Sequence, residues 1–215
     1  NALAVDNVEI TDLNLSKASL NKSSWSAYKV NYGKSYSSDV IALTNLGGID
    51  ATVTGVSFST PNFTTTLTPN TTIAAGSSKT FKVTFNAGST VSADSVKVVD
   101  KLKIQLNNGS IIELPLEGVA LAKDIHYFGF EEDQTGVVPQ GFTGINADGT
   151  SSEGILYWTT PNLHEGAQLS FCVLNDSECF NSLKGLYGHQ ALMTRCNLQA
   201  DGDDWLVSQK YDITS

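Results

Sequence analysis

Apolar residues recur at every second position through much of the first half of this chain, and no feature constrains its fold more. In KTFKVTF, residues 79–85, Phe81, Val83 and Phe85 fall on one side and Thr80, Lys82 and Thr84 on the other. KLKIQLN, residues 101–107, repeats the pattern with Leu102, Ile104 and Leu106. IIELPLEG, residues 111–118, does so with Ile112, Leu114 and Leu116. Successive side chains on a strand point to opposite faces, so each run buries one face and wets the other. Helices need apolar spacing near 3.6, and no stretch sustains it with capping residues at its ends. The expected class is all-β.

Turn chemistry cuts these runs into strands. Asn107-Asn108-Gly109-Ser110 separates the second run from the third. An Asn-Gly step suits positive φ, so a strand–turn–strand hairpin is expected there. Pro115 has no N–H to give to a ladder, so its side of the strand should face an edge. Further strands are expected over 7–15, 27–33, 39–45, 51–58 and 62–67, with Gly55 marking a bulge. Some seven short strands between Gly, Asn, Ser and Pro turns read as a β-sandwich of immunoglobulin type. The Cys…Trp…Cys spacing of antibody domains is absent.

The stretch from Ala42 to Gly88 adds a resemblance. Leu43, Asn45 and Gly47 match an L-x-N-x-G strand end, and Asn62-Phe63 an x-F strand. Thr72-Ile73 with Gly76 and Ser78 match T-I-x-x-G-x-S, Val83 and Phe85 a V-x-F strand, and Leu114–Gly118 the closing L-P-L-x-G. Over about residues 25–121 the chain resembles immunoglobulin-like domains of the abnormal-spindle/hydin type, including bacterial surface-protein variants. Ala75 stands where the family usually has Pro. The resemblance implies a scaffold or binding module and brings no catalytic residues.

Totals narrow the partners. The formal net charge is −9 with a pI near 4.6, which argues against nucleic acid and anionic membrane surfaces, since both select Lys/Arg-rich faces. It suits divalent cations, and equally solubility alone. No apolar run is long enough to span a bilayer, so direct membrane insertion is not expected. Ser, Thr, Asn and Gly are abundant and charged residues only 16%, a balance that suits extracellular β proteins. No basic-then-apolar leader follows Asn1.

Texture changes at Ile125, after a short LAKD junction at 121–124. All three Cys and all three His lie beyond it. Phe130-Glu131 followed by Pro139, Gly141 and Phe142 matches F-E…P-x-G-W, with Phe in place of Trp. GHQALMTRC (188–196) matches a G-x-x-A-L/M strand, and DDWLVSQKYDI (203–213) a D-W-L-V-T-P-K-L-D-L signature, with Gln209 in place of Pro. This part resembles the cleaved-adhesin, gingipain haemagglutinin/adhesin family of Bacteroidetes, a jelly roll of MAM-like architecture. In that family strands follow the W-L-V strand, whereas a jelly roll of about eight strands is not filled by the five or six countable here. The expected organisation is therefore an Ig-like β-sandwich over 1–121 and a partial jelly-roll β-sandwich over 125–215. Open strand edges in the second part would invite self-association.

Chemistry is sparse. Cys172, Cys179 and Cys196 allow one bridge plus a thiol, or three buried thiols; with His189 they lack the C-x-x-C knuckle of a zinc site. His126, His164 and His189 show no H-E-x-x-H spacing, and no G-x-S-x-G elbow occurs. Nothing orients Cys172 or Cys196 toward His189 as a hydrolytic pair. Glu131 and Glu132 are adjacent and would point to opposite faces of a strand, so they cannot flank one glycosidic bond from the same side. Glu131, Asp133 and Asp204 read either as solvated turn carboxylates or, as relatives of the jelly roll imply, as ligands of a structural calcium, which prefers hard oxygen donors. Trp25, Tyr28, Tyr32 and Tyr36 read as strand packing or as rings for stacking sugars. The expected protein is non-catalytic, extracellular or on a bacterial cell surface, and engages a host or extracellular protein or a glycan. The alternative is an accessory region of a larger secreted peptidase or glycosidase.

Overall fold

The computed structural model describes residues 14–88, 93–147, 149, 171–175, 189–194 and 203–211. These residues contain strands and turns but no helix. The chain divides into two compact units, Asn1–Tyr127 and Phe128–Ser215.

The first unit holds β1 (Ala18–Leu20), β2 (Trp25–Val30), β3 (Ser35–Ser37), β4 (Ile41–Asn45), β5 (Ala51–Ser57), β6 (Phe63–Thr65), β7 (Thr72–Ile73), β8 (Ser78–Phe81), β9 (Val83–Asn86), β10 (Ser95–Leu106) and β11 (Ile111–Leu121). One sheet runs β2-β11-β10-β5-β7; the others run β1-β4-β8 and β3-β9-β6. The expected strand over 7–15 lies almost wholly outside the described residues.

Two chain segments pair twice across a break. Tyr36 sits opposite Phe85 and Ile41 opposite Phe81, with the register shifted between them. Ser38 spans the gap: its N–H donates to the Val83 carbonyl at 2.8 Å and its hydroxyl accepts the Val83 N–H at 3.0 Å. Ser38 is buried, so its side chain stands in for a missing ladder bond. The alternation read in KTFKVTF survives this break, because Phe81, Val83 and Phe85 are all core residues, at 3%, 0% and 0% exposure. They pack with Ile41, Leu43, Val53, Leu102, Ile104, Leu114 and Leu116 in one cluster.

The β10–β11 hairpin forms the centre of the larger sheet. Gly109 alone of the four turn residues takes positive φ, at +82°. The Gly109 N–H returns to the Leu106 carbonyl and the Leu106 N–H bonds the Ser110 carbonyl. This is a turn closed by a glycine bulge, so Asn108 need not adopt the strained region that a two-residue Asn-Gly turn would demand. The Leu106–Ser110 bond fixes the alternation of the ladder, making Lys101–Pro115 a non-hydrogen-bonded pair. The Pro115 nitrogen therefore points away from β10. On that side β2 begins one residue later, with Trp25 opposite Leu116. Proline sits where β11 is still an edge, as its missing donor requires. Gly55 does adjoin a bulge: Gln105 faces Gly55 and Leu106 faces Val53, leaving Thr54 as the extra residue.

Asp100 ties a loop to this sheet. Its carboxylate accepts the N–H groups of Ser59, Thr60 and Lys101 and the Thr60 hydroxyl, all between 2.7 and 3.0 Å. Burial pushes the carboxyl up, but the four donors outweigh it and hold the group below its ordinary value of 3.8. A depressed folded-state value means that the contribution is complete above the unfolded value and is lost as pH falls through the folded one. We expect the stability of the first unit to fall as pH drops below about 4. Asp100→Asn should flatten this dependence, and Asp100→Ala should cost about 1–3 kcal/mol at pH 7. Urea unfolding of parent and variants between acid and neutral pH measures both; a parallel acid slope in Asp100→Asn would contradict the assignment.

The second unit presents β12 (Phe142–Asn146), β13 (Phe171–Asn175), β14 (Gln190–Thr194) and β15 (Asp204–Ser208). Among the described residues these form two antiparallel ribbons, β12-β15 and β13-β14. Residues 136–137 add bonds to β13, with the Gly136 N–H to the Val173 carbonyl and the Val173 N–H to the Val137 carbonyl. Val173 and Leu174 are fully buried.

Candidate functional site

The motif residues of the first unit are structural. The Asn45 side chain is fully buried and makes four backbone bonds. Its amide donates to the carbonyls of Ile49 and Ile73, at 2.8 and 3.1 Å, and its oxygen accepts the N–H groups of Gly47 and Lys17, at 3.1 and 3.3 Å. One asparagine thus joins the strand end, the following turn, β7 and the entry to β1. Gly47 is glycine because a β-carbon there would run into the backbone of residues 15–17. Gly118 lies against Phe85, whose ring atoms would stand 2.8 Å from an added β-carbon. Opposite Gly118 the register of β2 shifts, and Tyr28 takes the left-handed conformation at φ +52°.

The aromatic segment divides between packing and surface. Trp25 is buried, stacks on Tyr36 with ring centres 6.3 Å apart, and meets Phe63 edge-on. Tyr28 is exposed and Tyr32 half-buried. The four rings therefore do not form one open platform. On the outward face of the larger sheet, the Lys101 ammonium bonds the Glu113 carboxylate at 2.7 Å. That bond, with the charges of Lys101 and Lys103, holds the Glu113 carboxyl below its ordinary value.

In the second unit the three proposed metal ligands serve different places. Glu131 accepts the N–H groups of His189 and Gln190 at 2.9–3.0 Å, so its carboxylate caps the start of β14. Asp133 accepts the Gln140 N–H at 2.8 Å and closes the turn leading to Pro139. Asp204 begins β15, opposite Asn146. Among the described residues no group of three or more His, Cys, Asp or Glu is placed to hold a metal ion. Cys172 is half-buried in β13; Cys179, Cys196 and His164 lie outside the described residues, and His126 is exposed at the end of the first unit. Replacing Glu131 by Ala should destabilise the second unit by about 1–3 kcal/mol through the orphaned N–H groups, while Gln retains an acceptor. Melting curves with calcium and with chelator check this: an Ala penalty that appears only with calcium would assign Glu131 to a cation instead.

Phe130, Phe142 and Tyr211 share an aromatic cluster with Phe128. Phe142 meets Phe128 edge-on at 5.0 Å between ring centres and Phe130 at 6.4 Å, and Phe128 also meets Tyr211 at 5.7 Å. The other face of the β12–β15 ribbon is open. Ile145 lies opposite Trp205 and Thr143 opposite Val207; Trp205, Ile145 and Val207 are exposed by 59%, 46% and 46%. The Trp205 indole N–H donates to the Asp203 carboxylate at 2.8 Å, which orients the ring. Sequence reading placed Trp205 in a strand but missed Asp203 as its anchor, since DGDD reads equally as a plain turn.

Charge is distributed unevenly. Residues 1–127 carry ten Lys/Arg and ten Asp/Glu, whereas residues 128–215 carry three against twelve. The whole formal charge of −9 belongs to the second unit.

Residues 16–118 match the model of the HYDIN/CFA65/VesB-like Ig-like domain. No curated protein sequence matches this chain. Among solved structures, similarity extends to a protein of unknown function from Porphyromonas gingivalis, at 14% identity over 51% of this chain and 49% of that one, with a TM-score of 0.40. It extends also to the ASH/PapD-like domain of human CEP192, at 10% identity over 57% and 95%, TM-score 0.39. A third is the VesB protease of Vibrio cholerae, at 17% identity over 49% and 32%, TM-score 0.31. The matched parts are about half of the first of these chains and a third of the last. The sheets, the buried Asn45 and the family match over 16–118 agree that the N-terminal unit is an immunoglobulin-like domain.

Proposed function

We propose that this chain is a non-catalytic binding region of a secreted or surface-anchored protein, engaging an extracellular protein or glycan. The observation that carries the reading is the fate of the motif residues. Asn45, Gly47 and Gly118 are all consumed in packing and backbone bonding, so the family pattern specifies a scaffold and reserves no side chain for a reaction. A second reading makes the chain an accessory region of a larger secreted hydrolase whose catalytic domain lies elsewhere in the gene. It is favoured by the match to a family that takes one of its names from VesB, a protease in the solved structure.

Both readings are tested on the intact chain by a glycan array and a panel of extracellular proteins, run beside peptide and glycoside hydrolysis assays. Saturable binding without turnover is expected. Turnover abolished by His189→Ala would overturn the non-catalytic assignment. A peptidase or glycosidase domain in the full-length gene would select the second reading; an anchor with repeated sandwiches would select the first.

A further inference from the structure

The exposed face of the β12–β15 ribbon has features of a docking surface and a charge that restricts what can dock. Trp205 presents its ring to solvent with its polar edge already held by Asp203. An indole oriented by its own N–H bond loses little freedom on binding, so more of its contact energy goes to a partner. Ile145 beside it and Val207 farther along extend the apolar strip. The strip is far smaller than the roughly 800 Å² per side of a standard interface between folded proteins. It fits a short segment with one or two anchoring side chains.

We propose that this face docks a lysine- or arginine-bearing segment of a partner protein. The inference rests on the binding reading above and adds the chemistry of the partner. The ring face of tryptophan attracts ammonium and guanidinium groups more than any other aromatic side chain does. Asp203, just before the strand, places its carboxylate on the Trp205 indole, and the unit around it carries the entire charge of −9. A field of that sign concentrates cations and repels anions. It also repels a second copy of the same chain, whose second unit bears the same charge, so self-association through this face is disfavoured.

The test titrates the intact chain with a lysine/arginine-rich peptide and with versions carrying Gln or Glu at the basic positions, at low and high salt. Only the basic peptide should bind, and less tightly as salt rises. Trp205→Ala should weaken binding about tenfold and Trp205→Phe by less, as the cation–ring attraction predicts. Asp203→Asn, which keeps an acceptor for the indole, should lose only the charge contribution. Melting curves of the variants should match the parent, since Trp205 is largely exposed. Equal affinity in Trp205→Ala would reduce the effect to unspecific attraction and overturn the proposal. So would a neutral glycan, or a dimer seen by sedimentation, that Trp205→Ala abolishes; either would leave the binding reading standing. If peptide, glycan and protein panels all fail to bind, the binding reading falls with it.

Discussion

Replacing Asn45 by Leu is expected to cost about 3–5 kcal/mol and to leave the first unit largely unfolded at physiological temperature. The side chains are close in size, so the effect is not a cavity. Leucine would remove a partner from the carbonyls of Ile49 and Ile73 and from the N–H groups of Gly47 and Lys17, all of which Asn45 bonds. A buried polar group that loses a partner costs part or all of its desolvation penalty, and four lose one together. Asp should be intermediate, since it keeps the acceptor and loses the donors. Denaturant unfolding monitored through the buried Trp25 measures the series. A Leu variant within about 1 kcal/mol of the parent would mean that water replaces the side chain, against the complete burial of Asn45.

Gly118→Ala is expected to cost about 2–3 kcal/mol, at the upper end of ordinary overpacking. The added methyl would stand 2.8 Å from the Phe85 ring, and Phe85 is fully buried with Phe63 tilted against it at 5.0 Å. The ring therefore cannot swing aside. Phe85→Leu alone should be destabilising, because it leaves a void in the core. Combined, the two changes should cost less than their sum, with a coupling of about 1–2 kcal/mol. Additive costs would show that the methyl is accommodated by the β2 bulge rather than by the ring.

Strand periodicity carried most of the first unit into view. Leu102, Ile104, Leu106, Leu114 and Leu116 are buried as their alternation requires, because on a half-buried sheet the period is the burial pattern. The interruption at Lys82 was not legible, since a residue between two strands can keep the same inside–outside sequence. Nor was the role of Asn45, which acts on backbone groups of residues 17, 47, 49 and 73. Sequence spacing holds no record of such contacts, and only the recurrent motif singled the residue out. In the second unit, the carboxylates Glu131 and Asp133 read either as turn carboxylates or as calcium ligands, because ligands and turn caps use the same side chain. Their partners, the N–H groups of residues 189, 190 and 140, depend on how distant segments meet.

The parallel pairing of β2 with β11 has a mechanical meaning. These strands lie near the beginning and the end of the first unit and run in the same direction, with Trp25 beside Leu116 and Val30 beside Ala120. Asn31 then grips the backbone of Tyr127 through two bonds, at 2.7 and 2.8 Å. Tension entering at the start of β2 and leaving at the end of β11 acts along the strands, so it slides one past the other and strains their bonds together. A hairpin pulled open from its free ends would instead surrender its bonds one at a time.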